Sequence, residues 1–256
     1  MTFDAIKRHT WLSSDLLYYF TAREWKDRWG YLKRLEALTK QAKLCRHPSL
    51  NNENVFNDFL NYTLEERGFH LPDDLRHSAM TIAATANLDI GARATGFKYI
   101  SQAEIIDRLP PRKYALSMPN GRVVDGKTRY TTPDALCGIE YGNGVRFFAI
   151  EADRGTETLD TKIRNKLKAY DYILKKKEYQ KLFDIPVLYP MVVTTTEARM
   201  NSMIKIAEEL FGSSSLILFT YINGFTGHFR SPRYIPDFFT REWNRAGKPP
   251  FRIDKA

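Results

Sequence analysis

Residues 133–153 constrain the fold most. Two apolar-rich runs, Pro133-Asp-Ala-Leu-Cys-Gly-Ile-Glu-Tyr141 and Val145-Arg-Phe-Phe-Ala-Ile-Glu-Ala-Asp153, are separated only by Gly142-Asn143-Gly144. A connection that short joins antiparallel neighbours, so the two runs read as a β-hairpin. The period then changes. Leu159, Ile163, Leu167, Tyr170 and Leu174 recur on one face of a helix expected over 159–177. Residues 185–194 read as a third strand, 197–211 as a helix and 215–222 as a fourth strand. Upstream, 100–109 reads as a short helix stopped by Pro110-Pro111, and 122–129 as a short strand or turn around Asp125-Gly126. An antiparallel start followed by strands alternating with helices implies an α/β (α+β) fold, a mixed sheet flanked by helices.

The N-terminal part has another pattern. Ser13-Ser14-Asp15 offers a helix N-cap ahead of Leu16-Leu17-Tyr18-Tyr19-Phe20. A further helix carries Tyr31, Leu32, Leu35 and Leu38 on its apolar stripe, with Lys26, Arg28, Lys33 and Arg34 largely off it. Two alternating stretches, 42–46 and 54–62, flank a polar bridge. Helices followed by a polar-tipped hairpin is the order of a winged helix-turn-helix, whose helix enters the major groove while the wing touches backbone. A small α/β cap domain is the alternative. Residues 71–91 read as a connecting helix bounded by Pro72 and Gly91. The expected division is 1–91, a winged-helix DNA-binding region with its connecting helix, and 92–256, a mixed-sheet domain with a C-terminal extension. His77 on the connecting helix reads as a surface or packing histidine, since no second ligand stands four residues on.

Charge narrows the partners. The formal net charge is +9. It is uneven: residues 1–50 carry +5, 51–91 carry −5, 136–157 carry −2, and the flanks 92–135 and 158–190 carry +4 each. An acidic pocket between basic flanks suits a protein that binds a polyanion and holds a cation. Lys175-Lys176-Lys177 are further candidate phosphate contacts. No apolar run reaches the ~18 residues of a membrane helix. The N-terminus lacks a secretory pattern, and two cysteines make neither a disulfide scaffold nor a four-cysteine zinc site. A reducing cytoplasm is expected.

The candidate chemistry lies at the hairpin ends. Glu151 and Asp153 are two apart on one strand and so project to one face, which Asp134 can reach from the neighbouring strand. Three carboxylates gathered there would repel one another. A hard divalent cation, Mg²⁺ or Mn²⁺, would resolve the conflict and could activate water against a phosphate. Asp134, Glu151 and Asp153 are therefore the expected metal ligands.

The run Thr-Thr-Pro133-Asp134-Ala, followed about sixteen residues later by Ala-Ile-Glu151-Ala-Asp153-Arg154-Gly155-Thr156-Glu157, resembles the replication-relaxation family, and within it the MobC-type plasmid mobilisation relaxases. That family is similar in pattern to the PD-(D/E)xK restriction-endonuclease-like nucleases. The resemblance implies a winged helix followed by a nuclease core. It also implies metal-dependent nicking of one strand of double-stranded DNA at a plasmid transfer origin, in the bacterial cytoplasm, beside relaxosome or coupling proteins. It makes Asp134 and Glu151 metal ligands. The pattern's lysine is replaced by Asp153, so the cation would come from the next helix, where Lys162 and Lys166 share a face. Arg154 and Glu157 would brace the ligands, and Glu104 is a further candidate carboxylate. Scattered histidines and a core position for Tyr170 favour water over tyrosine as nucleophile. The rivals are a non-catalytic winged-helix accessory protein of plasmid replication or transfer, which the missing lysine favours, and a restriction-like nuclease cutting both strands.

Overall fold

The computed structural model describes residues 2–9, 12–21, 27–41, 45–46, 61–63, 75–110, 116–225 and 231–255. The N-terminal elements are α1 (Thr2–His9), β1 (Leu12–Ser13), α2 (Ser14–Thr21), α3 (Arg28–Lys40), β2 (Cys45–Arg46) and β3 (Asn61–Thr63). The three strands form a small antiparallel sheet in the order β1-β3-β2. Ser13 caps α2, its Oγ accepting from the Leu16 amide at 3.2 Å, and Asp27 caps α3 by accepting from the Gly30 amide at 2.7 Å. The helix α1 has no counterpart in the sequence reading. Most of the expected wing, 47–60, lies outside the described residues, as does Pro72.

The rest is built on a seven-stranded mixed sheet. Its elements are α4 (Leu75–Ala94), β4 (Lys98–Ile100), α5 (Gln102–Ile106), β7 (Ala135–Tyr141), β8 (Gly144–Ala152), α6 (Arg164–Lys176), α7 (Glu178–Phe183), β9 (Leu188–Thr194), α8 (Glu197–Phe211), β10 (Leu218–Tyr221), β11 (Glu242–Arg245) and β12 (Lys248–Arg252). Between α5 and β7, β5 (Met118–Val124) and β6 (Lys127–Thr131) pair, among the described residues, only with each other. Strand order in the large sheet is β12-β11-β10-β9-β8-β7-β4. β4, β7 and β8 run antiparallel, β8, β9 and β10 parallel, and β11 and β12 close the far edge antiparallel. The expected hairpin pairs over its whole length, from Ala135 opposite Ile150 to Tyr141 opposite Gly144.

The central strands β7 to β10 are buried on both faces. Cys137, Ile139, Phe148, Ile150, Met191 and Leu218 pack with α1, α2, α3, α4 and the C-terminal Trp243 and Ile253. Leu136, Phe147, Ala149, Val192 and Phe219 point the other way, against Ile163, Leu167, Tyr170 and Ile173 of the α6 region and Met200 and Met203 of α8. The expected stripe over 159–177 is thus real, although its first turn, Leu159–Ile163, is a π-helix.

The core runs without a break across the expected boundary at residue 91. Helix α4 itself crosses it. Gly91 does not end α4: a Cβ there would lie 2.1 Å from that of Phe239, so the glycine admits close packing of the C-terminal segment. Asp89 of α4 pairs with Arg8 at 2.7 Å, His9 at 3.0 Å and Arg93 at 2.5 Å. Burial opposes ionisation of Asp89, but these three neighbours hold its pKa down at about 2. Asn87 of α4 donates to the Arg233 carbonyl and accepts from the Ile235 amide, and Asp15 of α2 accepts from the Tyr234 amide. The segment from 231 to 235 thereby straps α2 to α4. No helix among the described residues is long and apolar enough to cross a membrane.

Candidate functional site

Asp134 and Glu151 meet where β7 begins and β8 ends. The Asp134 amide donates to the Ile150 carbonyl at 2.9 Å, continuing the ladder by one residue. Its side chain turns back on the same edge, and Oδ2 accepts from the Ala152 amide at 2.8 Å. Oδ1 lies 2.9 Å from Nε2 of His77. About a fifth of the Asp134 side chain remains exposed.

Glu151 is only 2% exposed. Alternation along β8 aims it at α6, where Lys166 and Tyr170 stand four residues apart on one helix face. Lys166 Nζ lies 2.7 Å from Glu151 Oε2, and the Tyr170 hydroxyl donates to Oε1. Burial pushes the Glu151 carboxyl up to about 7 and the Asp134 charge adds to this, while Lys166 and Tyr170 pull it down. Burial also works against the Lys166 ammonium. The combined attraction of Glu151, Glu157 and Asp134 outweighs it and raises Lys166 above the ordinary lysine value.

Asp153 is engaged elsewhere. It is buried, and both its oxygens meet the Arg199 guanidinium, Oδ2 at 2.5 Å from Nε and Oδ1 at 2.9 Å from Nη2. Thr194 Oγ1 donates to Oδ2 at 2.6 Å. Arg199 sits in the first turn of α8, just beyond the end of β9, where a fork of donors reaches a carboxylate bidentately. The expectation of three uncompensated carboxylates is therefore corrected. Each acid has a basic partner from the chain: His77 for Asp134, Lys166 for Glu151 and Arg199 for Asp153. Among the described residues no group of three or more His, Cys, Asp or Glu side chains is arranged around a common point that would hold a metal.

The remaining expected residues divide. Lys166 joins the site. Lys162 does not: it is exposed, on the π-helical turn Leu159–Ile163 ahead of α6. Glu157 lies beside Lys166, its carboxylate 3.6 Å from Nζ and its carbonyl accepting from Arg199 Nη2 at 2.6 Å. Arg154 is half-buried. Glu104 belongs to a capping box on α5, its Oε2 accepting from the Ser101 amide and hydroxyl at 2.8 Å each. Its carboxylate serves the helix rather than the site. Lys33 and Arg34 are exposed on α3. Arg28 begins that helix, and Lys26 lies outside the described residues. Lys175 pairs with Asp171 at 2.8 Å, Lys176 is exposed, and Lys177 takes a left-handed conformation that ends α6.

Sequence reasoning did not place His77, Arg199 or the Tyr170 hydroxyl here. Only Tyr170 left a signal, a phenol on an otherwise aliphatic stripe, since a buried tyrosine hydroxyl needs a partner. Comparison with family models, with curated proteins and with solved structures finds no match for the chain.

Proposed function

We propose that this chain is a metal-dependent DNA endonuclease that nicks one strand at a plasmid transfer origin, using Asp134, Glu151 and Lys166. One observation carries the reading: a partly exposed carboxylate and a buried one lie at adjoining strand ends, with a lysine ammonium 2.7 Å from the buried one. A PD-(D/E)xK site needs those three groups. Here the ammonium comes from α6 instead of the position held by Asp153. An antiparallel meander, β4-β7-β8, followed by two parallel strands, β9 and β10, agrees with the nuclease core that the sequence resemblance implies. The N-terminal order α1-β1-α2-α3-β2-β3, with β1 pairing β3, supports the winged-helix reading.

The residues fit Mg²⁺ or Mn²⁺. Such ions use one or two carboxylates and complete their shell with water and substrate phosphate, so Asp134 and Glu151 suffice as the protein's donors. When bound, the ion would polarise a phosphate and lower the pKa of water. The chain supplies the rest. The Ala152 amide and His77 orient Asp134, Tyr170 fixes the rotamer of Glu151, and Lys166 keeps Glu151 partly ionised while standing ready to meet phosphate charge. The Asp153–Arg199 pair ties the end of β8 to α8 and holds the frame.

The accessory-protein reading is favoured by the same ion pairs, since each acid is compensated without a metal. Incubating supercoiled plasmid bearing the cognate origin with the protein, with and without chelator, separates them. The proposal predicts chelator-sensitive open-circular product. Intact supercoil in Mg²⁺ and Mn²⁺ favours the accessory reading, and linear product a double-strand nuclease.

A further inference from the structure

We infer that the β5–β6 hairpin is a DNA-contacting arm that lies along a groove of the duplex beside the cut strand, an inference that rests on the nuclease reading above. Among the described residues the hairpin pairs with no other strand, and residues 121–123 and 125–130 are exposed. An isolated two-stranded ribbon is marginal in water unless something anchors it. Met118 at its base is fully buried, and Gly121 lies against the Tyr172 ring of α6, where a Cβ would approach to 2.5 Å at a φ of +78°. Asn120 Nδ2 donates to Thr131 Oγ1 at 3.2 Å, and Ser117 Oγ lies 2.7 Å from Thr132 Oγ1. The base is thus fixed to the helix that carries Lys166. Its second strand ends at Thr131, three residues before Asp134.

The exposed part has the chemistry of a polyanion reader. Val124 pairs with Lys127 and Val123 with Thr128, so alternation puts Arg122, Lys127 and Arg129 on one face and Val123, Thr128 and Tyr130 on the other. None of the three cationic side chains makes an ion pair or hydrogen bond with the described residues, and the single acid, Asp125, sits at the turn. Val123 is 66% exposed and Tyr130 59%, well above Tyr19 and Leu216, the other exposed large apolar side chains among the described residues. Nothing among the described residues covers these two side chains, on a ribbon otherwise lined with cationic charge. A two-stranded ribbon fits the major groove of B-DNA, where Arg and Lys meet phosphate oxygens.

The test is anisotropy of a labelled duplex in chelator, over a salt series, with the full chain and with the triple variant Arg122→Ala, Lys127→Ala, Arg129→Ala. A labelled single strand and a nicking assay run in parallel. Three lost phosphate contacts should flatten the slope of log affinity against log salt by about 2–3 and weaken duplex binding at least about tenfold near 0.1 M salt. The variant Val123→Thr, Tyr130→Ser should weaken binding without changing that slope. Unaltered duplex binding and slope in the triple variant, or a loss confined to the single strand, overturns the arm. Arm-dependent duplex binding by a protein that does not nick leaves the arm standing and removes the nuclease reading.

Discussion

Replacing Lys166 by methionine should change how stability depends on pH in a direction the site dictates. In the native chain Glu151 has a pKa raised from 4.5 to about 7, chiefly by burial. A carboxyl whose folded pKa lies above its unfolded value binds protons more tightly when folded. Its contribution is fully present below 4.5 and is lost as pH rises to about 7. The rise corresponds to about 3 kcal/mol. Lys166 is the strongest of the groups that hold Glu151 down. A hydrogen bond to a charged group contributes roughly 1.5–3 kcal/mol, so Lys166→Met should carry the Glu151 carboxyl further up, well past 7. The decline in stability would then continue past pH 7 and grow to roughly 5 kcal/mol. Lys166 itself titrates above 10.5 and does not enter this window. Urea unfolding at half-unit steps from pH 4.5 to 9 measures the effect, with Glu151→Gln as the reference that lacks the decline. A Lys166→Met decline that stops at pH 7, or stability that rises with pH relative to Glu151→Gln, would refute the electrostatics assigned to this site.

Three other outcomes follow from separate parts of the molecule. Arg199→Met should destabilise by roughly 3–5 kcal/mol, because it strands a buried carboxylate, and Arg199→Lys should recover little of it, since an ammonium cannot reproduce the bidentate fork. Thermal unfolding monitored by circular dichroism checks both. The pKa of Asp89 is lowered from 3.8 to about 2, so its contribution is present above 3.8 and lost as pH falls toward 2. Asp89→Asn should remove about 2 kcal/mol of that acid-sensitive stability, read from urea midpoints between pH 2 and 5. Glu104→Ala should cost about 1 kcal/mol through its cap and leave nicking unchanged, which assigns it to α5 and not to the reaction.

Local pattern made part of this molecule legible. The Gly142-Asn143-Gly144 turn announces β7 and β8, and the spacing of Ile163, Leu167 and Tyr170 announces α6, because period and turn chemistry act over a few residues. The pairing of Asp134 with Glu151 followed from that hairpin. The partners of those acids were illegible, since His77 reaches Asp134 across 57 positions and Arg199 reaches Asp153 across 46. Such contacts depend on how α4 and α8 pack, which no local period encodes. The assumption that Asp153 lacked a partner failed for that reason. Short strands at and next to the sheet edges escaped too: Lys98–Ile100, Glu242–Arg245 and Lys248–Arg252 are set by pairing with neighbours already in place, and a run of three to five residues carries little period of its own.

The most direct test compares the rate of nicking by Glu151→Gln and Asp134→Asn with that of the native chain in Mn²⁺, alongside duplex binding and the thermal midpoint. Loss of a carboxylate that takes part in the reaction should slow cleavage by roughly a hundredfold or more. Binding should survive, with the fold intact. Nicking at the native rate by either folded variant would contradict the assignment of Asp134 and Glu151 to the chemistry.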